Sequence, residues 1–171
     1  RRSDRVRIAC LAQIVNVIAP MMTSDDQLLL QTIYYPYAWA LAHARGRVLD
    51  LTVESETYTI EGAGLRPDFA RDDEVPFVDV AVTVDKTRGE ACIFALNRDL
   101  EQERELVLEW RDPEPKQVLT CQTLTGSDLK ACNRFDDPQR VTPRPMDAPK
   151  PGPLMKLVLP AASYSILKVS C

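Results

Sequence analysis

Histidine is nearly missing from this chain: His43 is the only one in 171 residues. A zinc centre built on several imidazoles, or a multi-histidine cluster, is therefore excluded. A Ser-His-Asp triad would have only His43 to use, and that residue sits in a helix-like stretch with no nucleophile motif beside it. Cysteine is sparse and scattered. Cys10, Cys92, Cys121, Cys132 and Cys171 form no CxxC, and an odd, dispersed set argues against a disulfide framework. Reduced thiols are expected, with Cys10 and Cys92 in apolar strands. A basic excess is also lacking. Lys and Arg number 21 against 25 Asp and Glu, a net charge of -4 that leaves no footprint for nucleic acid or anionic membrane. No apolar run is long enough to cross a membrane. The longest, residues 6–20, is interrupted by Gln13 and Asn16, and no small-residue cleavage site precedes Pro20, which sets aside a signal peptide. Six Gly against thirteen Pro point to rigid loops more than flexible linkers.

What is present reads as one domain, or one domain and a piece of another. Hydrophobic residues make up 45% and charged residues 27%, ordinary for a globular protein, and this length buries roughly 70% of the extended-chain surface. The run Val6 to Pro20 holds one charge, Arg7, among β-branched and apolar residues. Termini usually lie at the surface, so so apolar an opening is expected to start inside a fold, with the parent's chemistry upstream of Arg1.

A polar turn at Thr23-Ser24-Asp25-Asp26 follows, then Tyr34-Tyr35-Pro36-Tyr37-Ala38-Trp39-Ala40-Leu41-Ala42-His43. Pro36 suits a first helical turn, Ala and Leu favour helix, and Arg45-Gly46 is a stop. Residues 1–46 thus read as strand, loop and helix. From Arg47 the pattern turns to strands, over 48–53, 78–84, 90–97, 105–110, 117–124, 155–159 and 163–169. Seven short strands separated by polar turns indicate a β-sandwich over 47–171. Residues 134–153 carry six prolines and form a long loop, ordered or partly so.

Several blocks occur together in order: Asp4 to Pro20, Gln31-Thr32-Ile33-Tyr34-Tyr35-Pro36, Val53-Glu54-Ser55, Asn97-Arg98, and Gly126 to Asn133, followed by Phe135 and Pro138-Gln139-Arg140-Val141. This pattern resembles the C-terminal end of an α-L-arabinofuranosidase of glycoside hydrolase family 51, over nearly the whole chain. The resemblance implies a mainly β fold, a jelly-roll-like β-sandwich preceded by the last β/α unit of a (β/α)8 barrel. It places residues 5–13 on the eighth barrel strand and the Pro36 to Arg45 helix on the last barrel helix. It also implies that Gln13, at the C-terminal end of that strand, contacts the arabinofuranose, an amide offering both donor and acceptor to sugar hydroxyls. Without the resemblance, a Gln satisfied by neighbouring backbone is the plainer reading.

The two catalytic glutamates of such retaining enzymes would lie upstream, so no catalytic residue is expected here. Glu54 and Glu56 share one strand face at i, i+2, but a solvated edge accounts for them better than acid/base chemistry. The cluster Asp72-Asp73-Glu74 reads as a solvated loop, not a calcium site. No cofactor or metal is expected. The partners implied are an arabinofuranosyl-containing saccharide, the barrel of the same protein and further copies in a homo-oligomer, with neither nucleic acid nor membrane, in the cytoplasm. Two alternatives stay open: an autonomous carbohydrate-binding module and an oligomerisation domain. For the first, the sandwich aromatics Tyr58, Phe69, Phe77, Phe94, Trp110, Phe135 and Tyr164 are more readily assigned to a core than to sugar stacking.

Overall fold

A computed structural model of the chain describes residues 4–6, 8–59 and 74–171. Its centre is a six-stranded antiparallel sheet built from the sequence's β-branched runs. The strands are β3 (Arg47–Val48), β6 (Val78–Asp85), β7 (Glu90–Asn97), β9 (Gln117–Leu124), β10 (Arg144–Pro145) and β12 (Ser163–Ser170), in the order β10-β9-β12-β7-β6-β3. A second layer pairs β8 (Arg104–Glu109) with β11 (Leu154–Leu159), antiparallel from Leu154 opposite Glu109 to Leu159 opposite Arg104. Among the described residues two further antiparallel pairs stand outside the sheet. One joins β1 (Met21–Ser24) to β2 (Gln27–Leu30), the other β4 (Thr57–Thr59) to β5 (Glu74–Pro76).

The period of two decides which side chains meet. Val80 and Val82 of β6 lie opposite Ala95 and Ile93 of β7, and Ile93 lies opposite Leu167 of β12. This face packs on Met155, Leu157 and Leu159 of β11, all fully buried, each worth about 1.5–3 kcal/mol over an exposed side chain. The opposite face carries Cys92, Phe94 and Ile166, and it is covered as well. The one helix among the described residues, α1 (Tyr34–His43), lays Trp39 on it, with the Trp39 and Tyr164 rings stacked at 5.9 Å and 26°. Apolar cover on both faces explains why β7 reads as a continuous apolar run, Ala91 to Leu96, where an alternating one would suit a half-solvated sheet.

Mainly β and antiparallel, the fold is the β-sandwich that the sequence indicates, and six of the seven expected strands appear within a residue or so of their expected ends. The seventh, 48–53, shrinks to β3, and of the remaining residues to 53 only Leu49 bonds the sheet, through its N–H to the Val82 carbonyl oxygen at 2.8 Å. The expected strand over 5–13 differs more. Its described residues form no strand and are largely exposed, and only Val15 makes a bridge, parallel, with Met21. A parallel barrel strand takes its hydrogen bonds from two flanking strands, and no described strand runs beside 8–14. The expected turn at 23–26 instead closes a hairpin, with Asp25 in the left-handed region that Asp tolerates at φ 48°.

Candidate functional site

Gln13 lies exposed in the extended segment before the hairpin. Among the described residues its side chain makes no hydrogen bond, so the plainer expectation of a backbone-satisfied amide is not what the fold provides. Three residues on, the chain turns sharply through Asn16 and Val17, both left-handed at φ 63° and 61°. Such a conformation is a strain for a β-branched residue, and Asn16 holds it in place. The Thr23 N–H donates to Asn16 Oδ1 at 2.8 Å, Asn16 Nδ2 donates to Thr23 Oγ1 at 3.2 Å, and the Asn16 N–H donates to the Met21 carbonyl oxygen at 2.8 Å. The turn pushes Val17 and Ile18 outward, 77% and 72% exposed, and Ile8 and Ile14 are exposed as well.

The hairpin is tied to the distant proline-rich loop by Asn133. Its Nδ2 donates to the carbonyl oxygens of Leu30 at 2.8 Å and Val141 at 3.0 Å, while its Oδ1 accepts from the Val141 N–H at 2.8 Å. Between hairpin and loop opens a groove of about 470 Å³. Leu29, Met22 and Phe135 give it apolar walls, and Gln31, Arg134 and Asp136 line its polar side.

The other motif residues are joints. Asn97, 1% exposed, donates to the carbonyl oxygens of Gln102, Leu159 and Pro160, pinning the end of β7 to the end of β11. Arg98 pairs with Asp79 at 2.8 Å and donates to the Pro76 carbonyl oxygen at 3.0 Å. Ser55 Oγ accepts from the Val78 N–H at 3.0 Å. Glu56 pairs with Arg104, which also holds Asp99 at 2.7 Å and lies over the Phe77 ring at 4.4 Å. The Glu101 N–H, then the Arg104 guanidinium, then the Gln102 N–H keep the Asp99 carboxyl below its ordinary pKa. Glu56 is thus committed to an ion pair, and Glu54 stands exposed beside it. Of the acidic run 72–74, only Glu74, in β5, lies within the described residues.

His43 ends α1 in a small recess with Lys168, Glu90, Arg45 and Asp85. Burial, and then Lys168, lower its pKa, with Glu90 opposing. Burial pushes the neighbouring Cys92 thiol up to about 12, which makes it inert as a nucleophile. Among the described residues no group of three His, Cys, Asp or Glu is placed to hold a metal, and no helix is long and apolar enough to cross a membrane.

Two positions escaped the sequence reading. Asn133 stood only as one letter of a matched block, and Asn16 only as a polar interruption. In each case the available signal was an amide inside or beside an apolar stretch, a residue that needs partners.

A family model described as the α-L-arabinofuranosidase C-terminal domain matches residues 1–163. The intracellular exo-α-(1→5)-L-arabinofuranosidase of Streptomyces lividans is 36% identical over 148 residues, covering 86% of this chain and 21% of that protein. The protein of the same name from Halalkalibacterium halodurans is 37% identical over 144 residues, covering 84% of this chain and 27% of that protein. Among solved structures, AbfB, a family 51 α-L-arabinofuranosidase from Bifidobacterium longum, superposes with a TM-score of 0.85 at 32% identity, over 99% of this chain and 32% of its own. The chain therefore spans about a fifth to a third of the length of these relatives.

Proposed function

The chain belongs to the α-L-arabinofuranosidase C-terminal domain family, and from that premise we propose that it is the C-terminal domain of an arabinofuranosidase. The observation that carries this reading is the match over residues 1–163, joined to a superposition that takes in 99% of the chain. In this reading the whole protein removes terminal α-L-arabinofuranosyl residues from arabinose-containing saccharides with retention. Retention requires an acid/base carboxyl and a nucleophilic carboxylate about 5 Å apart across the glycosidic bond. Both are assigned to a barrel encoded upstream of Arg1, because Glu56 is held by Arg104 and Glu54 is solvated.

The sandwich caps the barrel, and residues 1–46 supply the barrel's last β/α unit. Exposed Ile8, Ile14, Val17, Ile18 and Leu41 support that docking, since exposed apolar side chains in this number call for cover. Gln13, its amide unoccupied, is the group assigned to the sugar. The relatives' names place them inside the cell, and a cytoplasmic location is proposed for this protein on that basis. Assembly of the whole protein into a homo-oligomer is likewise proposed, with light scattering as its check. For an autonomous carbohydrate-binding module, aromatic rings should face solvent, yet Phe94 is buried and Tyr58, Phe77, Trp110 and Tyr164 are half-buried.

The test is enzymatic. This chain alone should release no nitrophenol from a nitrophenyl α-L-arabinofuranoside, whereas the parent protein should. In the parent, Gln13→Ala should lower kcat/KM about tenfold or more, the cost of one lost hydrogen bond to a sugar hydroxyl in a desolvated site. Turnover by the chain alone would refute the assignment.

A further inference from the structure

We propose that the groove between the β1–β2 hairpin and the turn at Arg134–Asp136 is a second saccharide subsite, taking a neutral sugar unit of the substrate chain other than the one Gln13 meets. The inference rests on reading the parent protein as a glycosidase. Its ground is the groove's chemistry. At about 470 Å³ the groove falls within the size range of small-molecule sites, about 300–1,000 Å³. Half-buried Met22 and Phe135, backed by buried Leu29, offer an apolar wall of the kind on which the C–H face of a sugar ring rests.

The polar side carries no net charge. Arg134 Nε donates to Asp136 Oδ1 at 2.9 Å, and its Nη2 donates to Oδ2 at 3.3 Å. The one cation and the one anion of the groove are thus paired, and the lining carries no net charge to draw an ionic ligand. What remains is an amide. Gln31 Nε2 donates to the Met22 sulfur at 2.9 Å, and a thioether is a weak acceptor. Among the described residues this is the side chain's only hydrogen bond, so its carbonyl oxygen and one N–H are available to a hydroxyl-rich ligand. Asn133, by contrast, spends its amide on Leu30 and Val141. The hairpin side of the groove follows Gln13 closely in the chain, because Met22 precedes Thr23, the residue that Asn16 clamps.

The experiment compares two substrates of the parent protein carrying Phe135→Ala or Gln31→Leu. A nitrophenyl α-L-arabinofuranoside offers one sugar, and α-(1→5)-linked arabinotriose offers further units to the groove. For each variant, kcat/KM on the triose should fall about fivefold to tenfold, with the nitrophenyl glycoside held within about twofold. Equal losses on both substrates, or no loss on either, overturn the proposal. Gln31→Leu preserves volume and decides the matter if Phe135→Ala also lowers the melting temperature. A wild-type parent inactive on the nitrophenyl glycoside would instead overturn the glycosidase reading itself.

Discussion

Asn133 and Leu30, 103 positions apart in the chain, are joined by a 2.8 Å hydrogen bond from the Asn133 amide to the Leu30 carbonyl oxygen. Because the same amide closes two bonds with Val141, one buried side chain fastens the hairpin to the proline-rich loop. Asn133→Leu should leave the Val141 N–H and two carbonyl oxygens without partners. The expected cost is about 2–4 kcal/mol, measured as a shift in the urea midpoint. Faster hydrogen exchange confined to 21–30 and 133–141 would show that the joint, and not the sheet, has given way.

Trp39 is the helix's anchor. Removing its ring uncovers Tyr164, Phe94 and Ile166, so Trp39→Ala should cost about 3–5 kcal/mol in chemical denaturation. Trp39→Phe should recover about half or more of that loss by keeping apolar contact with Tyr164. A loss below about 1 kcal/mol for the alanine variant would mean that the helix does not depend on the sheet.

His43 links stability to pH. Its folded-state pKa lies below the ordinary value of 6.5, because burial and then Lys168 disfavour the imidazolium while Glu90 only partly offsets them. Above about pH 6.5 both folded and unfolded forms hold His43 neutral, and it contributes no pH dependence. Below that value the unfolded chain takes up the proton more readily, so stability should fall as pH drops towards the folded pKa. Denaturation midpoints at about pH 7.5 and about pH 5.5 would be compared for the wild type and for His43→Gln. The variant should lose less stability over that interval, and an identical loss in both proteins would count against the linkage.

Gly46 lets the chain leave α1 and enter β3. It sits at φ +78°, and a Cβ there would stand 2.0 Å from the Val84 carbonyl oxygen. Gly46→Ala should therefore cost about 2–4 kcal/mol, combining a left-handed backbone penalty with a clash against main chain. Gly152→Ala is a useful contrast, since a Cβ there meets nothing within 4 Å although φ is again positive. It should cost less in the same melting experiment.

Much of the sheet was legible because its strands differ sharply from the polar turns between them. Val78-Asp79-Val80-Ala81-Val82 alternates, and β7 is apolar throughout because the sheet is covered on both sides. The hairpin Met21–Leu30 was not legible, since two four-residue strands around Asp25-Asp26 present no clear period. The extended 8–14 segment illustrates the opposite limit, for its residues favour a strand but strand pairing needs neighbours. At the candidate site, the resemblance singled out Gln13, whereas the groove joins Gln31 to Arg134, and no local pattern announces a contact across a hundred positions.

The stacking of Trp39 on Tyr164 also bears on where this protein can be cut. The sequence pattern changes at residue 46, and a gene split there would separate the helix from the strands. The fragment so made would lose the lid of its own sheet, leaving Phe94, Ile166 and Tyr164 open to water on a broad surface ready to aggregate. A soluble sandwich therefore calls for a start ahead of Tyr34, with the helix travelling as part of the strands' own architecture.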